Sequence, residues 1–274
     1  MDKIDFKKQL GQNFIFDTNL LKFIVESAGV TNEDNVIEIG AGAGTLTNQL
    51  ALKAKDVTSF EIDKSLMERL VKLEGEHNNL KFVFEDFMQV DLNKYINGDE
   101  KFKVVANIPY YITTPIIFKL LDFANNITSM SFMVQKEVGE RFCAECNNKE
   151  YGITSVILQS IADVKYVRTI KKECFTPAPK VDSALIRLDL NLDKYSINDY
   201  KFFVNFVHNS FAMRRKTLVN NLLKKYTFSR QEIENILNCV GLDVMVRPEN
   251  ISVENFVKLS EIFNKNKQNI NKTK

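Results

Sequence analysis

Apolar residues in the first 190 positions fall in short runs that stop where charges or glycines begin. Residues 36–40, 57–62, 80–85, 104–107, 130–135, 165–170 and 184–190 have the length and β-branched or aromatic content of strands. Between them, 46–52, 64–73 and 114–123 space apolar side chains three and four apart, as on one face of a helix. Strands alternating with helices predict an α/β fold, a parallel sheet joined by crossover helices. The last two runs are too close for a helical crossover, so they are expected to pair antiparallel at one edge. Beyond Leu190 the strand signal ends. Residues 200–211, 218–225, 230–240 and 253–263 read as helices, with Ser229 and Ser252 as N-caps and Gly241 as a C-cap. The polar stretch 191–198 divides the chain into a domain 1–190 and a small helical domain 191–274.

A length of 274 residues suits one main domain with an appendage, and a 45% hydrophobic content supplies a sizeable core. No apolar run is long enough to span a membrane. The first ten residues mix charge with apolar character and lack the apolar core of an export signal, so a cytoplasmic protein is expected. Cys143 and Cys146 form a C-x-x-C. A zinc or redox site would need partners, and the chain offers only His77 and His208 and no second such pair. Two cysteines three apart on a helix more simply share a face, so no metal is expected and the thiols fit a reducing compartment.

The net charge of +2 conceals an asymmetry. Residues 191–274 hold 14 basic against 8 acidic residues, whereas residues 1–190 hold 23 against 27. Lys201, Arg214, Arg215, Lys216, Lys224, Lys225 and Arg230 fall in a 30-residue stretch with no acid. A solvated helix face usually mixes signs, so this stretch reads as a polyanion-binding surface.

The chemistry gathers at predicted strand ends. Glu38-Ile39-Gly40-Ala41-Gly42-Ala43-Gly44 follows the first strand and precedes a helix. Small residues at 40, 42 and 44 let a ligand approach the backbone closely, at the end of the sheet where doubly wound folds bind ligands. The spacing differs from the dinucleotide fingerprint, whose third glycine lies three positions after its second. It resembles the first motif of class I methyltransferases dependent on S-adenosylmethionine. Glu61 ends the second strand, where a carboxylate accepts from a ribose diol. Asp86 ends the third, placed to accept from the cofactor's adenine amine.

Asn107-Ile108-Pro109-Tyr110 ends the fourth strand. The N6 amine of adenine is a weak nucleophile because its lone pair is delocalised into the ring. Two acceptors directed at its hydrogens favour a more pyramidal, more reactive nitrogen. The Asn107 side-chain oxygen is one, and the Ile108 carbonyl, oriented by Pro109, is the other. Tyr110 offers a face for a flipped-out base. Phe175 precedes the stiff segment Thr176-Pro177-Ala178-Pro179-Lys180-Val181-Asp182-Ser183-Ala184 and is expected to cover the base's other face, making a sandwich with Tyr110 as part of the catalytic set, against the alternative of a core ring.

With Gly11-Gln12-Asn13-Phe14 and Met213-Arg214-Arg215-Lys216-Thr217-Leu218, these motifs resemble the KsgA (RsmA) small-subunit ribosomal RNA adenine dimethyltransferases. The likeness runs from about Phe6 to Phe263. It implies a Rossmann-like sheet of seven strands with a small all-helical C-terminal domain. It implies dimethylation of two adjacent adenines in the 3′-terminal hairpin of 16S rRNA, within the immature 30S subunit, by a monomer. Position by position, S-adenosylmethionine contacts fall on Asn13, Ile15, Gly40, Glu61, Asp86 and Asn107, with Gly42 and Gly44 completing the loop. Catalysis falls on Asn107, Ile108, Pro109 and Tyr110. Ile108 stands where the family commonly has Leu, which leaves the backbone carbonyl in place. Arg214, Arg215 and Lys216 are the expected RNA contacts. Erm-type large-subunit methylases and DNA adenine methylases share parts of this pattern. The former are more strongly basic, and the latter usually carry a recognition domain for which 84 residues leave little room. An assembly factor with secondary catalysis is a further alternative.

Overall fold

The computed structural model describes residue 7, residues 11–96 and residues 98–272. Strands β1 (Phe14–Ile15), β2 (Asn35–Ile39), β3 (Asp56–Phe60), β4 (Leu80–Val83), β5 (Phe102–Ala106), β6 (Ile127–Gln135), β7 (Ala162–Ile170), β8 (Phe175–Thr176) and β9 (Ser183–Leu190) place a strand on each of the seven expected runs, and four of them end one or two residues earlier than expected. Seven strands make one sheet in the order β4-β3-β2-β5-β6-β9-β7, while β1 and β8 form a small antiparallel pair of their own. β2 pairs in parallel with β3 on one side and β5 on the other, and β9 runs antiparallel to β6. The expected edge pairing appears as β9 beside β7. Helices α1 (Thr18–Ser27), α2 (Thr45–Ala51), α3 (Met67–Glu74) and α4 (Thr113–Leu121) join the strands, and α5 (Lys136–Cys143) follows β6.

The chain leaves β2 for β3 and β4 on one side, then returns to β5 on the other. A crevice opens at such a reversal, at the carboxyl ends of the strands. Ile39 is in register with Ala106, so the Gly-rich loop after β2 and the Asn107 motif after β5 leave the sheet side by side. Buried Leu21, Ile24 and Val25 of α1 and Leu46 and Leu50 of α2 join one core with Val36, Val57 and Val105. That core fixes the sheet floor under both loops.

The contacts divide the chain into two compact units, residues 1–139 with 165–190, and residues 140–164 with 191–274. Residues 140–164, expected within a domain 1–190, thus fall with the C-terminal helices. The reason lies in α6 (Ile153–Ile161), whose Val156, Ile157, Leu158 and Ile161 are buried; α6 packs on α7 (Tyr200–Ser210) and α10 (Val253–Lys272). The Tyr151 hydroxyl adds a bond to the Ile251 carbonyl at 2.9 Å.

In the helical unit, α8 (Leu218–Leu223) and α9 (Arg230–Cys239) complete the expected set. Ser229 and Glu232 form a reciprocal capping box, Ser252 Oγ accepts from Asn255 N, and Gly241 takes φ +73° behind α9. Phe206, Tyr226 and Phe228 surround Phe263, with ring centroids 5.1–5.3 Å away. Among the described residues, no helix is long and apolar enough to cross a membrane, and no cluster of three or more potential metal ligands occurs. All four cysteines are free.

Candidate active site

A cavity of about 290 Å³ opens at the sheet's reversal point. Asn13, Ile15, Gly40, Gly42, Glu61, Asp86 and Asn107 to Tyr110 all line it, so five separate segments converge. The Gly-rich loop shapes one wall. Gly40, Gly42 and Gly44 have φ of +81°, +55° and +76°, a region that side chains with a Cβ avoid. At Gly42 a Cβ would also stand 2.6 Å from the Phe14 ring. The bare glycine therefore lets β1 close on the loop.

Two of the expected residues lie elsewhere. Gly44 does not line the cavity; it starts α2, where a Cβ would meet Leu73 and Leu70 at 2.9 and 3.0 Å. Its role is the close approach of α2 to α3. Phe175 is 3% exposed and belongs to the core with Phe14 and Ile15, against which β8 pairs. It is not in the cavity wall, so the ring expected to cover a base instead supports β1 from behind.

Glu61 is buried, and each of its carboxylate oxygens accepts one backbone bond, from Gly42 N and from Asp63 N, both at 2.7 Å. Burial raises its pKa, and those two bonds work against the rise. A carboxylate oxygen has a second lone pair, so Glu61 both ties the loop to β3 and keeps acceptor capacity for a diol. Beneath it, Glu38 is fully buried; the hydroxyls of Thr47 and Ser59 both donate to one oxygen, and the other has no partner. Burial pushes the Glu38 carboxyl up to about 7, with the Glu61 charge adding to the effect. Asp86 accepts from Met88 N at 2.9 Å and turns the chain after β4 along the cavity.

Asn107 Nδ2 donates to the Asn13 carbonyl at 2.9 Å. Once the nitrogen is committed there, Oδ1 is left as the free end of the amide. Neither Oδ1 nor the Ile108 carbonyl accepts a bond among the described residues. The Tyr110 hydroxyl bonds Ser183 Oγ at 2.6 Å and fixes the ring against the start of β9; burial raises its pKa.

Several contributors carried no signal in a linear reading. Asp63, two positions after Glu61, receives Lys7 Nζ at 2.6 Å and Gln12 Nε2 at 2.8 Å. Burial works to raise the Asp63 pKa, yet the bonds from Lys7, Ser65 and Gln12 together hold its carboxyl at about 2. Segment 11–13 is thereby pinned over the cavity from the Asp63 side as well as from Asn107. Tyr111, 67% exposed, also lines the cavity.

In the helical unit, Arg214, Arg215 and Lys216 are exposed on the turn between α7 and α8 and form no ion pair among the described residues. The turn is built around buried Asn221. Its Oδ1 accepts from Met213 N at 2.6 Å, and its Nδ2 donates to the Thr217 carbonyl at 3.1 Å.

Comparisons with known proteins agree with this geometry. A family model described as ribosomal RNA adenine dimethylase matches residues 3–265. The ribosomal RNA small subunit methyltransferase A of Clostridium acetobutylicum is 44% identical over 93% of this chain and 93% of its own. That of Lactobacillus johnsonii is 43% identical over 94% and 90%. Among solved structures, a dimethyladenosine transferase from Plasmodium falciparum superposes with a TM-score of 0.79 at 27% identity, covering 92% of this chain and 98% of that one. The 23S rRNA methyltransferase ErmE gives a TM-score of 0.72, also at 27% identity, covering 92% of this chain and all of that one.

Proposed function

The chain belongs to the ribosomal RNA adenine dimethylase family, and from that premise we propose that it methylates the N6 amines of two adjacent adenines in the 3′-terminal hairpin of 16S rRNA, in the immature 30S subunit. One observation carries this reading. Asn107, whose amide nitrogen is committed to the Asn13 carbonyl, and Ile108 line the same cavity as the Gly-rich loop and Glu61.

The residues present fit S-adenosylmethionine. Gly40 and Gly42 turn bare backbone to the cavity, Glu61 keeps lone pairs for ribose hydroxyls, and Asp86 is an acceptor suited to an adenine amine. Asn13, Ile15 and Gly40 complete the wall. When bound, S-adenosylmethionine supplies an electrophilic methyl group. Asn107 Oδ1 and the Ile108 carbonyl accept from the two N6 hydrogens and shift electron density onto the nitrogen. Tyr110 supports the base by its face, its ring held by Ser183. The N6 nitrogen bonds the methyl as the methyl's bond to sulfur breaks with its electron pair left on sulfur. The methylated, positively charged nitrogen releases one proton to water, so catalysis is positioning plus amine polarisation without a titrating base. After the first transfer one hydrogen remains, so one acceptor serves the second.

The basic turn Arg214–Lys216 supplies phosphate contacts, which set register without reading bases. The names of the relatives at 43–44% identity favour the small subunit over the large-subunit substrate of ErmE. Action as a monomer in the cytoplasm belongs to the same proposal, and the four free thiols fit a reducing compartment. Mass mapping of adenines after incubating the protein and S-adenosylmethionine with immature small subunits tests the whole reading. Two adjacent dimethyladenosines near the 3′ end of 16S rRNA are expected. Label confined to 23S rRNA or absent from both RNAs would overturn it.

A further inference from the structure

Lys119 lies near the end of α4, and its amine donates to three backbone carbonyls: Phe87 at 2.7 Å, Met88 at 3.0 Å and Val90 at 2.7 Å. An ammonium has three N–H groups, so its donor capacity is spent on a single loop. The same nitrogen sits 5.4 Å from the centroid of the Phe87 ring. The loop contains Asp86, whose side chain accepts from Met88 N and whose carbonyl accepts from Gln89 and Val90 N. Glu85, Asp86, Phe87 and Met88 line the cavity.

Three carbonyls aimed at one point repel one another unless a cation stands between them. With an apolar side chain in its place, they would be left unpaired or would turn out to water, and the loop would lose its form. Asp86 would lose its fixed aim with it. α4 begins at Thr113, three residues after Tyr110. One helix thus starts beside the Asn107–Tyr110 motif and reaches the Asp86 loop at its other end.

We propose that Lys119 is a positioning residue: by gathering three carbonyls of the 87–90 loop it holds Asp86 against the cofactor's adenine ring and sets the site's preference for adenine. This rests on the reading of Asp86 as the acceptor for the adenine amine. An acceptor-only carboxylate attracts an amine and repels the ring carbonyl that a deaminated purine carries at the same position.

The test uses the full chain, with calorimetric binding of S-adenosylhomocysteine and of its deaminated S-inosyl counterpart. Steady-state kinetics on immature small subunits run alongside, for wild type and for Lys119→Met, Lys119→Arg and Asp86→Asn. Wild type should bind the adenosyl ligand at least tenfold more tightly than the inosyl one. Lys119→Met should raise the KM for S-adenosylmethionine about tenfold, keep kcat at saturation within about twofold, and reduce the preference to near unity. Lys119→Arg, which retains several donors, should restore most of it. If Asp86→Asn removes the preference and Lys119→Met keeps it, the Lys119 proposal alone is overturned. If Asp86→Asn also keeps it, the Asp86 reading fails and takes the proposal with it. A Lys119→Met variant that melts earlier but has unchanged KM and preference would show a structural role only.

Discussion

The side-chain nitrogen of Asn107 donates to the backbone carbonyl of Asn13 at 2.9 Å, across 94 residues of chain. The bond decides which end of the amide faces the cavity. Asn107→Ala removes the acceptor while leaving Glu61 and the Gly-rich loop intact. The expected result is a fall in kcat of about 10²–10³, the cost of losing one preorganised polar group at a reacting centre. Affinity for S-adenosylhomocysteine should change less than about tenfold. Asn107→Asp keeps an acceptor but loses the donor to Asn13, and its rate should fall between the two. Wild-type turnover in Asn107→Ala would remove Asn107 from the chemistry.

Gly42→Ala places a methyl 2.6 Å from the Phe14 ring at a φ of +55°. Overpacking of this kind costs about 1–3 kcal/mol. A lower melting temperature together with weaker cofactor binding is expected, because β1 must retreat from the loop. Gly152→Ala provides a control, since a Cβ there meets nothing within 4 Å.

Tyr110→Phe removes the bond to Ser183 but keeps the ring. It should cost about 0.5–1.5 kcal/mol of stability and little activity. Tyr110→Ala removes the stacking face and should lower kcat/KM for RNA by tenfold or more, in line with about 1–3 kcal/mol per stacked base. Equal activity in the two variants would exclude stacking.

Glu38 sets a pH dependence of stability. Its carboxyl rises from an ordinary 4.5 to about 7 on folding, through burial first. The folded state therefore holds a proton that the unfolded chain releases. Stability on this account is full below about pH 4.5, falls as pH rises towards 7, and levels off above. The loss is on the order of 3 kcal/mol at about 1.4 kcal/mol per unit. Chemical denaturation at pH 5, 6, 7 and 8 should show the slope in wild type and a much flatter profile in Glu38→Gln. An unchanged slope in the variant would assign the titration to another group.

Replacing Arg214, Arg215 and Lys216 together with Ala should weaken binding to immature small subunits and flatten its salt dependence. The slope of log affinity against log salt should fall by about 2–3, given a contribution near 0.7–0.9 per phosphate contact. A variant that melts earlier yet keeps the wild-type slope would make these residues structural.

Much of this protein is written locally in its sequence. The strand and helix periods, the capping box at Ser229, the positive-φ glycines at 40, 42 and 44, and the turn at Asn107-Ile108-Pro109-Tyr110 rest on stereochemistry among near neighbours. The reversal point where the loops after β2 and β5 meet came only with the strand order. Other features depended on which distant segments touch. Phe175 reads as a stacking ring from its place before the Pro-rich loop, and only the pairing of β8 with β1, which buries it, shows it to be a core ring. Residues 140–164 precede a strand of the sheet, yet the apolar face of α6 finds its partners on α7 and α10. Lys119 looks like any helix lysine, because the carbonyls that receive it lie 29 to 32 residues earlier and carry no side-chain signature. Backbone carbonyls are chemically alike at every position, so a sequence cannot mark the ones a distant donor will meet. Only the packed chain brings Asn13 to Asn107 and the 87–90 loop to Lys119.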